Sequence, residues 1–344
     1  MIKAAVIGLG WWGRLITETL QDSDKIDVIC IAARTPSKHQ DFADKTGVPL
    51  RQNYQEILAD PKVEAVILCT PHSQHEAQVM DAIAAGKQVF CEKPLGLTKA
   101  SVIKMVTAAK KAGIQLGIGH ERRFEASMEA ITQHVKSDDF GVAMHAEANF
   151  SHSILVGVDA DSWRGSLKEA PAAGMTGMGV HLTDLFISMF GPVEKLCAHT
   201  AQRVLPLPTG DIVNVQFKFK SGATAFLAAI SATPYYGRFS VFGDKLWVEA
   251  RDTAHPQHGG ETHVVMCGPD GQQSTKTYPP KNAVKANLHE WADAVMGHGP
   301  YRFTNEQLVE NVAVLEAIAQ SVEDGGWVSS VSYTHLTLPT IYSV

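Results

Sequence analysis

The stretch Ile2-Lys-Ala-Ala-Val-Ile-Gly-Leu-Gly-Trp-Trp-Gly13 decides the fold of this chain of 344 residues. Its first half is the apolar run of a buried strand, and the segment Trp12–Leu20 can form the helix that follows. The glycines of the turn permit, in order, a tight bend, a close backbone approach to a pyrophosphate, and close packing of the helix. A glycine-rich turn without a ligand is the alternative. The predicted dinucleotide-binding residues are Gly8, Gly10, Trp11, Trp12 and Gly13.

The same alternation of short apolar runs and amphipathic segments continues to about residue 119. It is typical of βαβ units, and it predicts a doubly wound parallel sheet of the Rossmann type with ligands at the carboxyl ends of the strands. The predicted strands are Ala4–Ile7, Val28–Ala32, Ala65–Cys69, Gln88–Phe90 and Gln115–Ile118. The predicted helices are Thr35–Asp44, Gln74–Ala85 and Thr98–Ala112.

Longer alternating runs after about residue 124 indicate a second domain. Val213–Phe219 and Ala223–Ile230 flank a Ser-Gly turn and predict an antiparallel hairpin, while Ala286–Met296 and Asn305–Val322 have helical spacing. We therefore expect an α/β protein with a Rossmann domain at residues 1–122. An α+β domain with an open, largely antiparallel sheet, for substrate binding and oligomerisation, is expected at residues 123–330.

The last segment, residues 331–344, is expected to be non-native. Val331 to Thr340 resembles the translation of a sequencing adapter, although its Tyr, Thr and Leu content also suits a strand. We expect a chain that ends at Ser330 to keep its stability and activity.

Composition narrows the function classes. The formal net charge is −6 and no basic stripe is present, so nucleic acid is not an expected partner. No run of 18 or so apolar residues suits a membrane helix, and the N-terminal strand leaves no room for a signal peptide. The five cysteines favour reduced thiols in the cytoplasm, and the histidines lack metal-ligand spacing. We expect a cytoplasmic protein with no metal.

The end of the second predicted strand bears on the choice between NAD and NADP. An acidic residue at this position would bind the ribose hydroxyls, but the chain has Arg34 there, followed by Thr35, Ser37 and Lys38. A guanidinium holds a 2′-phosphate by charge-assisted hydrogen bonds, so NADP is favoured. If Arg34 instead stacks on adenine or faces solvent, NAD serves as well.

Two further stretches carry a resemblance to a known family. They are Ala65-Val-Ile-Leu-Cys-Thr-Pro-His-Ser-Gln-His75 and Gly86-Lys-Gln-Val-Phe-Cys-Glu-Lys-Pro-Leu95, of which Glu92-Lys93-Pro94 is the most specific element. The chain resembles the Gfo/Idh/MocA oxidoreductases from Met1 to about Val328. The resemblance implies an NAD(P)-binding first domain, an open sheet in the second domain that covers the active site, and sugars, cyclitols or their derivatives as substrates.

The resemblance also implies residue roles in the first domain. Lys93 would be the catalytic lysine beside the nicotinamide ribose and the reacting hydroxyl, because hydride leaves a carbinol carbon only as the hydroxyl loses its proton. Pro94 would fix the turn of Lys93, often through a cis peptide bond. The remaining cofactor-binding residues implied are Thr70, Pro71, His72, His75 and Glu92.

A second motif lies in Ala172-Ala-Gly-Met-Thr-Gly-Met-Gly-Val-His-Leu-Thr-Asp184. Many family members have Asp-x-Gly-x-His-x-x-Asp here, and the first Asp assists the lysine and the histidine in proton transfer. This chain keeps His181, the second catalytic candidate, but has Gly177 in place of that Asp. A structural histidine is the alternative for His181. Asp184, Arg123, Trp163 and Arg164 complete the predicted substrate-binding set. A structural role for Asp184 and ion pairs for the arginines are the alternatives.

Three functions remain open at this stage. The first is a dehydrogenase or reductase that acts on CH–OH groups with NADP or NAD, in a homo-oligomer. The second is an NAD-dependent glycosidase of the same fold that oxidises, eliminates and re-reduces its sugar. The third is a non-catalytic NADP-binding sensor, which the glycine at position 177 makes worth considering.

Overall fold

The computed structural model describes residues 1–159, 162–255 and 258–330 of the chain, so the predicted tail lies outside the described residues. The first half contains six strands and five helices among these residues. They are β1 Ile2–Ile7, α1 Trp11–Thr19, β2 Ile26–Ala32, α2 Gln40–Thr46, β3 Leu50–Arg51, α3 Tyr54–Ala59, β4 Ala65–Leu68, α4 His75–Ala84, β5 Gln88–Cys91, α5 Lys99–Ala112 and β6 Leu116–Ile118.

The first sheet is parallel throughout, in the order β3-β2-β1-β4-β5-β6. The chain reverses its direction of travel between β1 and β4, so the carboxyl ends of β1, β4, β5 and β6 meet at one edge. The predicted doubly wound Rossmann sheet is confirmed.

One predicted helix is wrong at its start. In place of a helix from Thr35, a short 3-10 turn at Pro36–Lys38 precedes α2. The ring of Pro36 disfavours helical geometry at the preceding residue, and Thr35 has φ −126° and ψ 82°. The short elements β3 and α3 were not predicted.

The second half adds nine strands and four helices among the described residues. They are α6 Ala126–Val135, β7 Ala143–Ser151, α7 Val180–Phe190, β8 Val193–Ala201, β9 Ile212–Phe219, β10 Thr224–Ile230, β11 Tyr236–Gly243, β12 Trp247–Asp252, β13 Thr262–Cys267, β14 Gln273–Tyr278, α8 Ala283–Val295, α9 Asn305–Asp324 and β15 Trp327–Ser329.

These nine strands form one sheet in the order β14-β13-β12-β11-β7-β10-β9-β8-β15. Only the β7–β10 pair is parallel, and β9–β10 is the predicted hairpin. The helices α6, α7 and α9 pack on one face of the sheet, where a core of buried side chains lies. The expected largely antiparallel sheet is therefore present.

Helix α8 packs on the first sheet, although the sequence grouped it with the second domain. The indole of Trp291 is fully buried against the ring of Phe90, and its Nε1 donates to the carbonyl oxygen of Gln115 at 3.0 Å. The chain thus returns to the first domain after completing most of the second sheet. Within the described residues, none of the helices is both long and apolar enough to cross a bilayer.

Candidate active site

A cavity of about 480 Å³ opens where the carboxyl ends of β4, β5 and β6 face the second domain. Residues of the first domain, mostly polar, line one side, and residues of the second domain, both apolar and basic, line the other. The lining residues that bear on the chemistry are Trp11, Trp12, Thr70, His72, Glu92, Lys93, Glu121, Phe150, Trp163, Arg164, Gly177 and His181.

The glycine turn fits a dinucleotide. Gly8 has φ +97°, and a Cβ there would lie 2.6 Å from the carbonyl oxygen of Cys69. A Cβ at Gly13 would collide with the carbonyl oxygen of Gly8, whereas a Cβ at Gly10 would meet nothing within 4 Å. Open space at Gly10 is what a backbone needs to approach a pyrophosphate, and the N-terminus of α1 begins at that residue. Trp12 Nε1 is buried beside the cavity and faces the carboxyl of Glu92, whose pKa it lowers.

Arg34 follows β2 and is exposed, as a residue that meets the adenosine end of a dinucleotide must be. Among the described residues no ion pair occupies its guanidinium. The residues directly after β2 therefore present a cation that can donate hydrogen bonds, and no carboxylate.

Lys93 lies directly after β5, and its peptide bond to Pro94 is cis, as the resemblance implies. Its Nζ donates to the carbonyl oxygens of Gly177 at 2.9 Å and Thr176 at 3.2 Å. Burial lowers the pKa of Lys93, and the nearby carboxyls of Glu121 and Glu92 oppose that shift. Two neutral carbonyl groups therefore hold an amine that can lose its proton more easily than an exposed lysine.

Two buried carboxyls stand beside this amine. Burial raises the pKa of Glu92 to about 7, and its Oε2 accepts the backbone N–H of Lys93 at 3.2 Å. Burial and the neighbouring Glu92 raise the pKa of Glu121 to about 7, while Lys93 lowers it. Glu121 was not predicted from the sequence, since the residues of the turn after β6 form no recognisable pattern.

His181 belongs to the second domain and enters the cavity at the start of α7. A single turn of π-helix, Met175–Gly179, precedes it, and the two alanines before that turn, Ala172 and Ala173, have φ of 58° and 53°. Burial, followed by the charge of Lys93, lowers the pKa of His181 well below its usual range. Its Nε2 lies 3.8 Å from Oε1 of Glu121, and its Nδ1 meets no hydrogen-bond partner among the described residues. The imidazole is therefore neutral at pH 7.

The residues after β4 divide into two groups. Thr70 and His72 line the cavity, but His75 is fully buried, with its ring nitrogens 2.9 Å from the carbonyl oxygens of Pro94 and Thr70. Pro71 and Pro94 are also absent from the lining. His75 thus holds the two loops together, whereas it was expected to bind the cofactor.

His72 joins the two domains. Its Nδ1 donates to the carbonyl oxygen of Glu169 at 2.6 Å, and its ring meets Trp163 edge to face at 4.9 Å. Burial lowers the pKa of His72 to about 3, so this contact is made by a neutral imidazole. Trp163 in turn carries the guanidinium of Arg164 over its ring at 4.3 Å. Trp163 and Arg164, both predicted to bind substrate, therefore form one wall of the cavity.

Arg123 and Asp184 do not reach the cavity, so their expected role in substrate binding is not supported. Nε and Nη2 of Arg123 each donate to a carboxylate oxygen of Asp184 at 2.6 Å, and Nη1 donates to Oε1 of Gln307 at 2.9 Å. Both charged side chains are buried. Their charges are satisfied by each other, and the pair ties the turn after β6 to α7 and α9.

Two family models match this chain. The model described as "Oxidoreductase family, NAD-binding Rossmann fold" covers residues 2–120, and "GFO/IDH/MocA C-terminal domain" covers residues 128–249. The chain belongs to the GFO/IDH/MocA oxidoreductase family. The resemblance found in the sequence is thereby confirmed, and the first domain of this GFO/IDH/MocA protein is an NAD(P)-binding Rossmann domain.

Relatives of this GFO/IDH/MocA protein carry several activities. Trans-1,2-dihydrobenzene-1,2-diol dehydrogenase of Mus musculus is 28% identical over 61% of this chain and 62% of its own length, so the matched part is less than two thirds of that protein. The 1,5-anhydro-D-fructose reductase of Ensifer adhaerens is 25% identical over 87% of this chain and 90% of its own length. Aldose-aldose oxidoreductase of Caulobacter crescentus has a crystal structure with a TM-score of 0.83 at 25% identity, covering 95% and 99% of the two chains.

The histidines of this GFO/IDH/MocA protein do not form a metal site among the described residues, where no group of three or more His, Cys, Asp or Glu side chains could hold an ion. His152 and His255 meet edge to face at 4.9 Å on the cavity wall, and burial lowers the pKa of each to about 4. They present neutral imidazoles that can donate and accept hydrogen bonds.

Proposed function

We propose that this protein is an NAD(P)-dependent dehydrogenase or reductase that acts on a CH–OH group of a sugar, cyclitol or related compound. Lys93 and His181 are its catalytic residues. The observation that carries the proposal is that these two side chains, from different domains, line one cavity beside the glycine turn. The names of the three relatives agree in reaction type, since each is a dehydrogenase, a reductase or an oxidoreductase.

The roles of the residues follow from their surroundings. A bound nicotinamide supplies the acceptor or donor of hydride. Lys93, held by the carbonyls of Thr176 and Gly177, binds the substrate oxygen and exchanges its proton, which its lowered pKa facilitates. His181, neutral at pH 7, can donate and accept a hydrogen bond and so orients the same oxygen.

NADP is the cofactor we favour, with NAD as the alternative. The support is the exposed Arg34 at the end of β2, where no acidic residue stands. Glu92 and Thr70 lie beside Lys93 on the cavity wall, where they suit the nicotinamide half of the dinucleotide. Trp163 and Arg164 face them from the second domain and are our candidates for contact with the substrate.

Two properties of the whole protein are also proposed. The open face of the nine-stranded sheet, opposite its helices, supports a homo-oligomer. The cysteines are all free, which agrees with a cytoplasmic protein.

An absorbance screen tests the function. Incubation with NADP or NAD and a panel of sugars and cyclitols should change the absorbance of the reduced-nicotinamide band. We expect Lys93→Ala to abolish the change, because no other amine lines the cavity among the described residues. Lys104→Ala is the matched control, since this lysine is exposed on α5 and pairs with Glu76.

The competing functions give different results in the same experiment. A glycosidase would release an aglycone without accumulation of reduced cofactor, and a sensor would bind cofactor without turnover on any compound. An active Lys93→Ala variant would remove the lysine from the mechanism.

A further inference from the structure

The inference concerns the place of Glu121 in proton transfer, and it rests on the proposed oxidoreductase function. Glu121 follows β6, lines the cavity and directs Oε1 to His181 Nε2 at 3.8 Å. Its Oε2 is buried and accepts no hydrogen bond from any described residue. A buried carboxylate oxygen without a partner is costly, so its presence in a cavity calls for a role.

The charges around Glu121 show that it is not a structural ion pair. The adjacent Arg122 turns away from it and pairs with Glu125 at 3.1 Å and with Asp252 at 3.0 Å. Among the described residues, His181 is the only basic side chain within ion-pair distance of Glu121. The buried Glu121 carboxyl is therefore directed at His181, a proposed catalytic residue, and does not serve a structural ion pair.

Position 177 offers Lys93 no acidic side chain. Gly177 offers only its carbonyl oxygen to Lys93, and the neighbouring Thr176 does the same. Neither carbonyl can take up a proton. Two carboxyls line the cavity, Glu92 and Glu121. Glu92 is packed against Gly119 and bonded to the backbone of Lys93, whereas Glu121 keeps one oxygen unpaired.

We propose that Glu121 is the positioning and proton-relay carboxyl of this site, acting through His181 in place of an acidic side chain at position 177. In the oxidative direction the substrate O–H bond breaks, the C–H bond gives its electron pair to the nicotinamide as hydride, and a C=O bond forms. The hydroxyl proton passes to the Lys93–His181 pair. His181 Nε2 then gives a proton to the Glu121 carboxylate, which releases a proton to solvent. The reductive direction returns one proton along the same route.

The electrostatics agree with this role. The charged and titratable groups around the Glu121 carboxyl are Glu92 and Lys93 after β5, His120 and Arg122 beside it, and His181 on α7. With a pKa raised to about 7, the carboxyl is partly protonated at neutral pH and can both take and give a proton. The gap of 3.8 Å to His181 exceeds a hydrogen bond, and catalytic hydrogen bonds commonly shorten when substrate binds.

The decisive experiment compares the pH profiles of four proteins: the wild type, Glu121→Gln, Glu121→Gln with Gly177→Asp, and Glu310→Gln. Glu310 is the matched control, because it is a buried carboxyl with a raised pKa that bonds Val193 N–H far from the cavity. A side chain fits at position 177, where a Cβ would meet only the flexible Ile154 Cδ1 at 3.3 Å.

We expect Glu121→Gln to lower kcat by a factor of about 10² and to remove the inflexion near neutral pH, with cofactor affinity, measured by quenching of tryptophan fluorescence, unchanged within about twofold. Gly177→Asp in the same chain should restore at least about tenfold of the loss. Glu310→Gln should match the wild type. A Glu121→Gln variant with the kcat and pH profile of the wild type would overturn the relay.

A second measurement separates this inference from the proposed function. In protein labelled with ¹³C-histidine, the His181 Cε1 signal, assigned by its loss in His181→Asn, should shift with an inflexion near pH 7 in the wild type and not in Glu121→Gln. If no substrate turns over but this inflexion is present, the oxidoreductase proposal fails while the Glu121–His181 coupling stands. If the wild-type signal shows no such inflexion, the relay is refuted whether or not the enzyme is active.

Discussion

The buried carboxyl of Glu121 also makes the stability of the folded chain depend on pH. Its pKa is 4.5 as a model value and about 7 in the fold, so the folded state binds the proton more tightly than the unfolded state. The stability that this proton contributes is complete below pH 4.5 and is lost as the pH rises through 7.

We therefore predict that Glu121→Gln gains stability over the wild type as the pH rises from 5 to 8. The gain should reach at most about 3 kcal/mol, from the energy of a pKa unit. Urea unfolding at a series of pH values measures it, and titratable groups that do not interact with Glu121 cancel in the comparison. Glu18→Gln, at an exposed carboxyl paired with Lys45, should differ from the wild type by less than about 1 kcal/mol at every pH. A difference for Glu121→Gln that does not change with pH would contradict the prediction.

Arg34 yields a prediction about cofactor choice. If its guanidinium holds the 2′-phosphate of NADP, Arg34→Ala should raise the Kd for NADP by a factor of about 10 to 100 and leave that for NAD within about twofold. Lys45→Ala, at an exposed cation of the same domain, is the control. Equal losses for NADP and NAD would mean that Arg34 contacts the adenine or a shared phosphate.

Single residues could be predicted from the sequence when they belong to a local motif. They were missed when their contacts are with residues far away along the chain. Lys93 and His181, the proposed catalytic residues, could be singled out because the residues around each form a recognisable pattern. Glu121 could not, since its partner His181 lies 60 positions further along the chain. The pairing of Arg123 with Asp184 could not be predicted for the same reason, because only the fold shows that they neutralise each other.

The turn of π-helix before α7 is the element on which the placement of His181 depends. It begins after Ala172 and Ala173, two buried residues with positive φ, a conformation that costs about 1–2 kcal/mol for a residue with a Cβ. The backbone is therefore strained at the start of the segment that leads to His181, a proposed catalytic residue. Strain of this kind is common at functional sites.

This strain predicts that an Ala→Gly substitution changes the free energy of unfolding by different amounts at two buried alanines. Ala109→Gly, in the middle of α5, should lower the free energy of unfolding by about 1–2 kcal/mol through backbone entropy and the lost methyl group. For Ala172→Gly the relief of the positive φ offsets those losses, so we expect a change smaller by about 1–2 kcal/mol. Urea unfolding measures both variants. Equal losses would show that Ala172 is not strained.

Among the elements, those with a strong period were predictable and those defined by neighbours were not. The strands β1, β4 and β5 are continuous apolar runs that lie inside a parallel sheet, and the β9–β10 hairpin has its turn written at Ser221-Gly222. In contrast, β3 is only two residues long. The placement of α8 against the first sheet depends on the packing of Trp291 against Phe90. Chain order alone does not contain that information.

Among the described residues, no helix covers one face of the nine-stranded sheet. On β10 the side chains alternate between buried and partly exposed, and Phe226 is exposed by 37% on the open side. The neighbouring strands carry Arg238, Glu147 and Glu249, which form an ion-pair cluster across that face. A twofold axis through such a face would place the same apolar and charged groups of a second copy against it.

If the open face forms the homo-oligomer, light scattering after gel filtration should give at least twice the mass of one chain. Phe226→Glu should shift the protein toward the monomer, because it introduces a carboxylate on the open face beside Glu147, its neighbour on β7. Val204→Glu is the matched control, since Val204 is 74% exposed and lies in the loop between β8 and β9, away from the open face. A monomeric wild type, or equal dissociation of both variants, would refute assembly through this face.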